Sequence, residues 1–214
     1  MNKELSAVAH ELLFWKGFVQ TKRFLDGWVK DIPTPELRSQ VHFFIKERLN
    51  ANSKVLDAGS GVVSILNGTV PNKQLFPLDP LGELYDLIFD YDRHGMRRPI
   101  PLSCEELPDN GFYDIVHMSN ALDHTQNPFK SYRNLLRAVK PGGFLIIQCF
   151  ENEAEHENWR GFHQYNLRIK DSFIEVTGKD GVSTFLSEGV EQVVSIERIP
   201  VGNKMWFIYI AHKA

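Results

Sequence analysis

Several residue groups in this chain have types and spacings that could do chemistry. In Val55-Leu-Asp-Ala-Gly-Ser-Gly61, an aspartate, Asp57, is followed by two glycines one residue apart, Gly59 and Gly61, with Ser60 between them. Such a turn after an apolar run lets the backbone bend sharply and bring free N–H groups close to a ligand. Asp79 ends the next apolar run, at residues 74–78, where a carboxylate can accept both hydroxyls of a ribose. Asp123 and His124 follow the run at 112–118, and Glu153, His156, His163 and Tyr165 follow the run at 143–150. An imidazole with a pKa near ~6.5 can take a proton at neutral pH, so these histidines are candidate bases. Each feature also has a plainer reading. A Gly-x-Gly can be a tight structural turn, a histidine among eight is more often structural than catalytic, and residues 152–166 could be a solvated face.

The elements that would carry these groups are legible in the pattern of apolar residues. From Leu5 to Leu25 they recur at helical spacing, which predicts an amphipathic N-terminal helix. Asp31-Ile-Pro-Thr-Pro breaks it, and Thr34 with Pro35 can start a second helix carrying Leu37, Val41, Phe44, Ile45 and Leu49 to about Asn50. Beyond residue 53 short apolar runs at 54–58, 74–78, 112–118 and 143–150 alternate with helix-like stretches at 81–89 and 128–139. That alternation is the mark of a parallel sheet covered by helices on both faces. The tail changes character, with strand patterns at 172–177, 182–186, 190–199 and 204–211, the first two joined by the hairpin signal Gly178-Lys-Asp-Gly181.

Composition narrows the classes. The 214 residues are 43% hydrophobic and 24% charged, which suits one α/β domain with an appendage and excludes a disordered or fibrous chain. A formal net charge of −3 argues against a phosphate backbone as main partner. Cys104 and Cys149 have no zinc-ligand spacing and suggest no disulfide framework, so no metal is expected and a reducing cytoplasm is the simplest setting. The N-terminal stretch lacks the apolar core of a signal peptide and nothing approaches a membrane span, so the chain is expected to be soluble and to stay where it is made.

A longer block adds specificity: Glu105-Glu-Leu-Pro, then Phe112-Tyr-Asp-Ile-Val, then Leu136-Arg-Ala-Val-Lys-Pro-Gly-Gly-Phe-Leu-Ile-Ile. With the glycine turn and Asp79, this order resembles the class I S-adenosylmethionine-dependent methyltransferases, in particular the type 11 group, over residues 54–150. The resemblance implies an α/β fold: a Rossmann-like, seven-stranded, mostly parallel sheet ending in an antiparallel hairpin of strands six and seven, with helices on both faces. It implies a methyltransferase domain at 54–214 behind a helical cap at 1–53. It also implies roles. Asp57, Gly59, Ser60 and Gly61 would hold the methionine end of S-adenosylmethionine and Asp79 the ribose. Pro80 and Leu81 would flank the adenine, with Ser103, Cys104 and Glu105 along its other edge. Ser119 and Asn120, at the end of the fourth strand, would border the sulfonium. Two departures stand out. Val62-Val63 replaces the third glycine of such loops, and Ser103 stands where an aspartate is common.

Methyl transfer from a sulfonium needs alignment, and a base when the acceptor is a hydroxyl. Asp123, His124 and His163 are the candidates for that chemistry, and Trp15, Glu153, His156 and Tyr165 for binding the acceptor, with Trp15, Phe18, Trp28 and the 151–166 loop forming a lid. The segment from Asn152 to Asn166 is similar to methyltransferases of bacterial polysaccharide and natural-product pathways, which suggests O-methylation of a sugar or related small hydroxyl compound. Arg93, His94, Arg97 and Arg98 could meet one phosphate of such an acceptor. No nucleic-acid or membrane partner is expected, and a homodimer is left open. The alternative from another class is a non-catalytic binding or regulatory domain that keeps the fold; a nicotinamide enzyme is disfavoured by the incomplete glycine motif.

Overall fold

The computed structural model describes residues 3–29, 39–108, 110–187, 189–190 and 192–213. Thr34, Pro35 and Leu37, expected to open the second helix, lie outside them, as does the side chain of Trp28. The chain divides into two compact units, Met1–Ser103 and Cys104–Ala214.

The first unit contains α1 (Lys3–Phe18), α2 (Lys22–Phe24), α3 (Ser39–Lys46), β1 (Val55–Ala58), β2 (Leu75–Leu78), α4 (Gly82–Tyr85) and α5 (Tyr91–His94). The helix expected over 5–25 stops at Phe18 because Thr21 starts a new turn, its hydroxyl accepting from Phe24 N at 3.1 Å. Of the stretch expected to be helical at 81–89 only α4 is α-helix, and α5 starts separately beyond it, where the Asp90 carboxylate accepts from Arg93 N at 3.0 Å. β1 is buried along its whole length and runs parallel to β2, with Val55 opposite Leu75 and Ala58 opposite Leu78. Leu12, Trp15 and Phe18 of α1 pack on a core of Phe24, Val62, Val63, Tyr85, Phe89 and Tyr91. That apolar contact anchors α1 above the glycine turn.

The second unit contains β3 (Tyr113–Ser119), α6 (Pro128–Ala138), β4 (Val139–Phe150), α7 (Glu153–His156), β5 (Tyr165–Lys170), β6 (Phe173–Gly178), β7 (Ser183–Leu186), β8 (Gln192–Val201) and β9 (Lys204–His212). Asn127 caps α6, accepting from Lys130 N at 3.0 Å, and Pro128 fills the first helical position. β3 and β4 are parallel, whereas β9 is antiparallel to both β4 and β8, so the expected hairpin of the last two strands is present. Gly142 has φ +75, and a Cβ on Gly143 would fall 2.7 Å from the Asp114 carbonyl oxygen, which explains the Pro-Gly-Gly turn. β5, β6 and β7 form a separate antiparallel sheet. β5 begins at Tyr165, inside the stretch that the sequence reads as loop.

The main sheet has six strands, in the order β2-β1-β3-β4-β9-β8, and not the seven expected. Where a third strand was due, between residues 79 and 112, Ile100 alone bridges to Leu78: Asp79 N donates to its carbonyl at 3.0 Å, and its own N–H donates to the Pro77 carbonyl at 2.9 Å. Pro99 and Pro101 flank Ile100 and have no N–H to offer, so the ladder stops after one residue.

Candidate functional site

In the first unit the glycine turn and the end of β2 are tied together by one carboxylate. Asp79, buried, accepts from Gly61 N at 3.0 Å through Oδ2, and from Leu81 N at 2.9 Å and the Tyr85 hydroxyl at 3.1 Å through Oδ1. Burial pushes its pKa up to about 6, against the pull of those three donors; the charge of Glu11 adds to the rise. Ser60 N donates to the Leu78 carbonyl at 3.1 Å, so two successive amides of the turn are directed at the end of β2. Asp57, 1% exposed, accepts from the Ser64 hydroxyl at 2.5 Å. Gly59 and Gly61 both have φ +64, a left-handed conformation open to glycine at little cost. Nothing along the chain marks Ser64 as the partner of Asp57, and the Asp79-Pro-Leu…Tyr85 pattern places Tyr85 near Asp79 without marking it as a hydrogen-bond donor.

Trp15 covers this turn. Its indole N–H donates to Glu11 at 2.8 Å, one helical turn back, and its ring meets Tyr85 edge-on with centroids 6.2 Å apart. Pro80 is exposed, and Leu81 and Ser103 are half-buried. Of the basic group, Arg98 is held by Asp86 and Asp92 at 2.9 and 3.0 Å, and Arg97 donates to the carbonyls of Asn72 and Leu75.

In the second unit three candidates converge. Asp123, with no exposed surface, sits in the short turn after β3; His124 follows it, and His163 arrives from the segment before β5. His163 Nδ1 lies 2.8 Å from Asp123 Oδ2 and 3.2 Å from His124 Nε2, and His124 Nε2 lies 3.6 Å from the same carboxylate oxygen. Burial works against the His163 imidazolium, but the hydrogen bond and charge of Asp123, with Glu153 and Glu157 adding to them, hold its pKa above the ordinary value. Burial likewise opposes the Asp123 carboxylate, and the two histidines more than offset that, so its pKa is lowered. Cys149 lies 3.8 Å from Asp123 Oδ1 and 3.4 Å from Asn120 Oδ1. Asn120 has φ +50 and also accepts from Phe150 N at 3.3 Å, fixing the exit of β3 beside that of β4.

The remaining candidates are dispersed. Ser119 ends β3 half-buried; Cys104 and Glu105 form a turn whose carbonyls accept from Asn134, and the Glu105 carboxylate accepts from Asn127 N at 3.1 Å. Tyr165 donates its hydroxyl to the Gln126 carbonyl at 3.0 Å, and His156 is exposed. Glu153 is buried and paired with Lys204 at 3.0 Å, and Glu151 with Arg198 at 2.6 Å. The acidic loop is thus partly neutralised by cations from β8 and β9, far along the chain.

Comparison with known proteins gives a consistent result. A family model described as a methyltransferase domain matches residues 30–175. Phosphoethanolamine N-methyltransferase 1 of Arabidopsis thaliana is 23% identical over 221 residues, covering 92% of this chain and 41% of that protein. The chain therefore spans about two fifths of the length of that curated relative. Among solved structures, the N-methyltransferase NodS of Bradyrhizobium japonicum WM9 in complex with S-adenosyl-L-homocysteine aligns with a TM-score of 0.59 at 12% identity, over 100% of this chain and 99% of that one. The Burkholderia thailandensis 1,6-didemethyltoxoflavin-N1-methyltransferase aligns with a TM-score of 0.55 at 17% identity, over 100% and 91%. At these identities the structural likeness is one of fold.

Proposed function

The chain belongs to the methyltransferase-domain family, and on that premise we propose that it transfers a methyl group from S-adenosylmethionine to a small polar acceptor. The observation that carries this reading is the buried Asp79 carboxylate at the end of β2, bonded to the Gly61 amide of the glycine turn. A carboxylate there suits the vicinal hydroxyls of a ribose. In this assignment Asp57, Gly59, Ser60 and Gly61 take the methionine portion, Pro80 and Leu81 the adenine with Ser103, Cys104 and Glu105, and Ser119 and Asn120 the sulfonium side. Residues 1–53 act as a cap on the domain at 54–214.

Asp123, His163 and His124 handle the acceptor's proton in this proposal. The pairing of a buried carboxylate with His163 at 2.8 Å supports it, since that bond fixes the ring and stabilises the imidazolium formed when a hydroxyl is deprotonated. A hydroxyl compound such as a sugar remains the proposed acceptor. A second reading, an amine acceptor, is favoured by the relatives above whose names describe N-methyltransferases. The enzyme is proposed to act in the cytoplasm; among the described residues no helix is long and apolar enough to cross a membrane.

Isothermal titration with S-adenosylmethionine, followed by transfer of labelled methyl to separate panels of hydroxyl and amine compounds, tests the proposal. Binding with turnover on one panel supports it and identifies the acceptor atom. Binding without turnover on either would favour the regulatory alternative, and no binding by folded protein removes the premise of activity.

A further inference from the structure

We propose that Asp123, His124 and His163 form a binding site for one divalent first-row metal ion of the zinc type. The three ligand atoms make a closed triangle: Oδ2 to Nδ1 2.8 Å, Nδ1 to Nε2 3.2 Å, and Nε2 to Oδ2 3.6 Å. An ion bound about 2.1 Å from each of three tetrahedral donors separates them by about 3.4 Å, within the range of the two longer edges. The triad therefore accepts such an ion once the 2.8 Å edge between Asp123 and His163 opens by about 0.6 Å, the other two changing by about 0.2 Å.

Proton bookkeeping points the same way. His163 Nδ1 carries at most one proton, and two atoms approach it within hydrogen-bond distance. If that proton goes to Asp123, His124 Nε2 can only share it at a longer distance. If His124 Nε2 is protonated too, two N–H groups face each other. A cation at the centre satisfies one lone pair on each of the three atoms at once. Two imidazoles and a carboxylate also form a donor set suited to borderline divalent ions.

The surroundings fit an open site. Asp123 is fully buried, and the side chains of His124 and His163 are 22% and 18% exposed, so three protein ligands leave positions that water or an acceptor oxygen can reach. A cation there lowers the pKa of a bound hydroxyl and does the work assigned above to the imidazole base. The second oxygen of Asp123 faces the buried Cys149 thiol at 3.8 Å. That thiol is a neighbour that orients the carboxylate. The ligands come from residues 123, 124 and 163, a spacing that belongs to no zinc motif, which is why the cysteine count raised no expectation of metal.

The inference rests on the acceptor site proposed above, yet its test contains neither cofactor nor acceptor, so a failure of methyl transfer and a failure of metal binding are separate results. Chelator-treated protein is titrated with ZnCl2 and, in parallel, with CoCl2 followed by visible absorption. We expect one ion per chain, at least tenfold weaker binding for Asp123→Asn, His124→Gln and His163→Gln, and unchanged binding for His10→Gln on the exposed face of α1. The unaltered chain gives a reading that does not depend on variants folding: imidazole nitrogen NMR must show Zn2+ moving Nδ1 of one histidine and Nε2 of another. Absence of binding, binding that survives the triad variants, or movement of any other pair of nitrogens overturns the proposal.

Discussion

Trp15 occupies the space that a side chain at Gly61 would need: a Cβ at Gly61 would lie 2.2 Å from Cζ2 of the indole and 2.5 Å from Cη2. The contact joins the N-terminal helix to the glycine turn through an approach that glycine alone permits, at a φ of +64. Gly61→Ala is therefore expected to destabilise the fold by about 2–4 kcal/mol, combining left-handed backbone strain with overpacking. In a Trp15→Ala background the cost should shrink to the backbone share of about 1–2 kcal/mol. Urea denaturation of the four proteins measures both, and equal penalties in the two backgrounds would show that the indole is displaced freely.

The raised pKa of Asp79 gives cofactor binding a pH dependence. Ribose hydroxyls donate to the carboxylate form, so affinity for S-adenosylmethionine should fall as pH drops through about 6 and level off above it. Fold stability responds in the opposite sense. Burial favours the protonated carboxyl, so this contribution is complete below the ordinary value of 3.8 and is lost as pH rises through about 6. Asp79→Ala should weaken cofactor binding by about 1–3 kcal/mol at neutral pH. Calorimetric titration between pH 5 and 8 checks the slope, and a flat profile for the unaltered protein would rule out a ribose on Asp79.

The Asp123 to His163 hydrogen bond predicts the acid limb of the rate profile in chelator-treated protein. A base works only when neutral, and the pKa of His163 is held above the ordinary imidazole value, so activity should rise with pH at a midpoint above that value. Asp123→Asn removes the charge responsible and should move the midpoint down while reducing kcat by about 10²–10⁴-fold, the range for loss of a positioned base. Cofactor affinity should stay within about twofold, since Asp123 makes no contact with the cofactor in the proposed assignment. A large loss of cofactor binding with unchanged kcat would move the residue out of proton transfer.

Glu153 separates a structural role from an acceptor-binding one. It is buried against Lys204, whose side chain is about a quarter exposed, so the pair is only partly screened by water. Lys204→Ala leaves a buried carboxylate without its cation and should cost about 1–3 kcal/mol of stability. The double variant Glu153→Gln, Lys204→Met should recover part of that loss, because it removes both charges. Thermal denaturation together with KM for the acceptor checks the assignment. A change in KM for Glu153→Gln without a change in melting would place the residue at the acceptor.

The amino-acid sequence by itself determined the local chemistry and the family. A glycine pair after an apolar strand, an aspartate closing the next one and a Pro-Gly-Gly turn are fixed by backbone sterics within a few residues. Their outcomes can therefore be read in order along the chain: Gly59 and Gly61 left-handed, and Gly143 pressed on the Asp114 carbonyl. The parallel strands followed from the same short-range periodicity, whereas the final hairpin was implied by the family resemblance. What failed locally was the third strand, where Pro99 and Pro101 stop the ladder after Ile100.

Only the tertiary structure decided which distant groups meet. His163 could be named as a candidate, but nothing in its surroundings along the chain places it on Asp123, and the pairing that raises its pKa exists only once the segment before β5 folds back. In the same way nothing near Glu151 and Glu153 along the chain names their partners, whereas the fold supplies Arg198 to Glu151 and Lys204 to Glu153. The reason is physical. Burying a charge is costly unless an opposite charge or a hydrogen-bond donor arrives with it, and which partner arrives is set by strand pairing over tens of residues, beyond the reach of any local pattern.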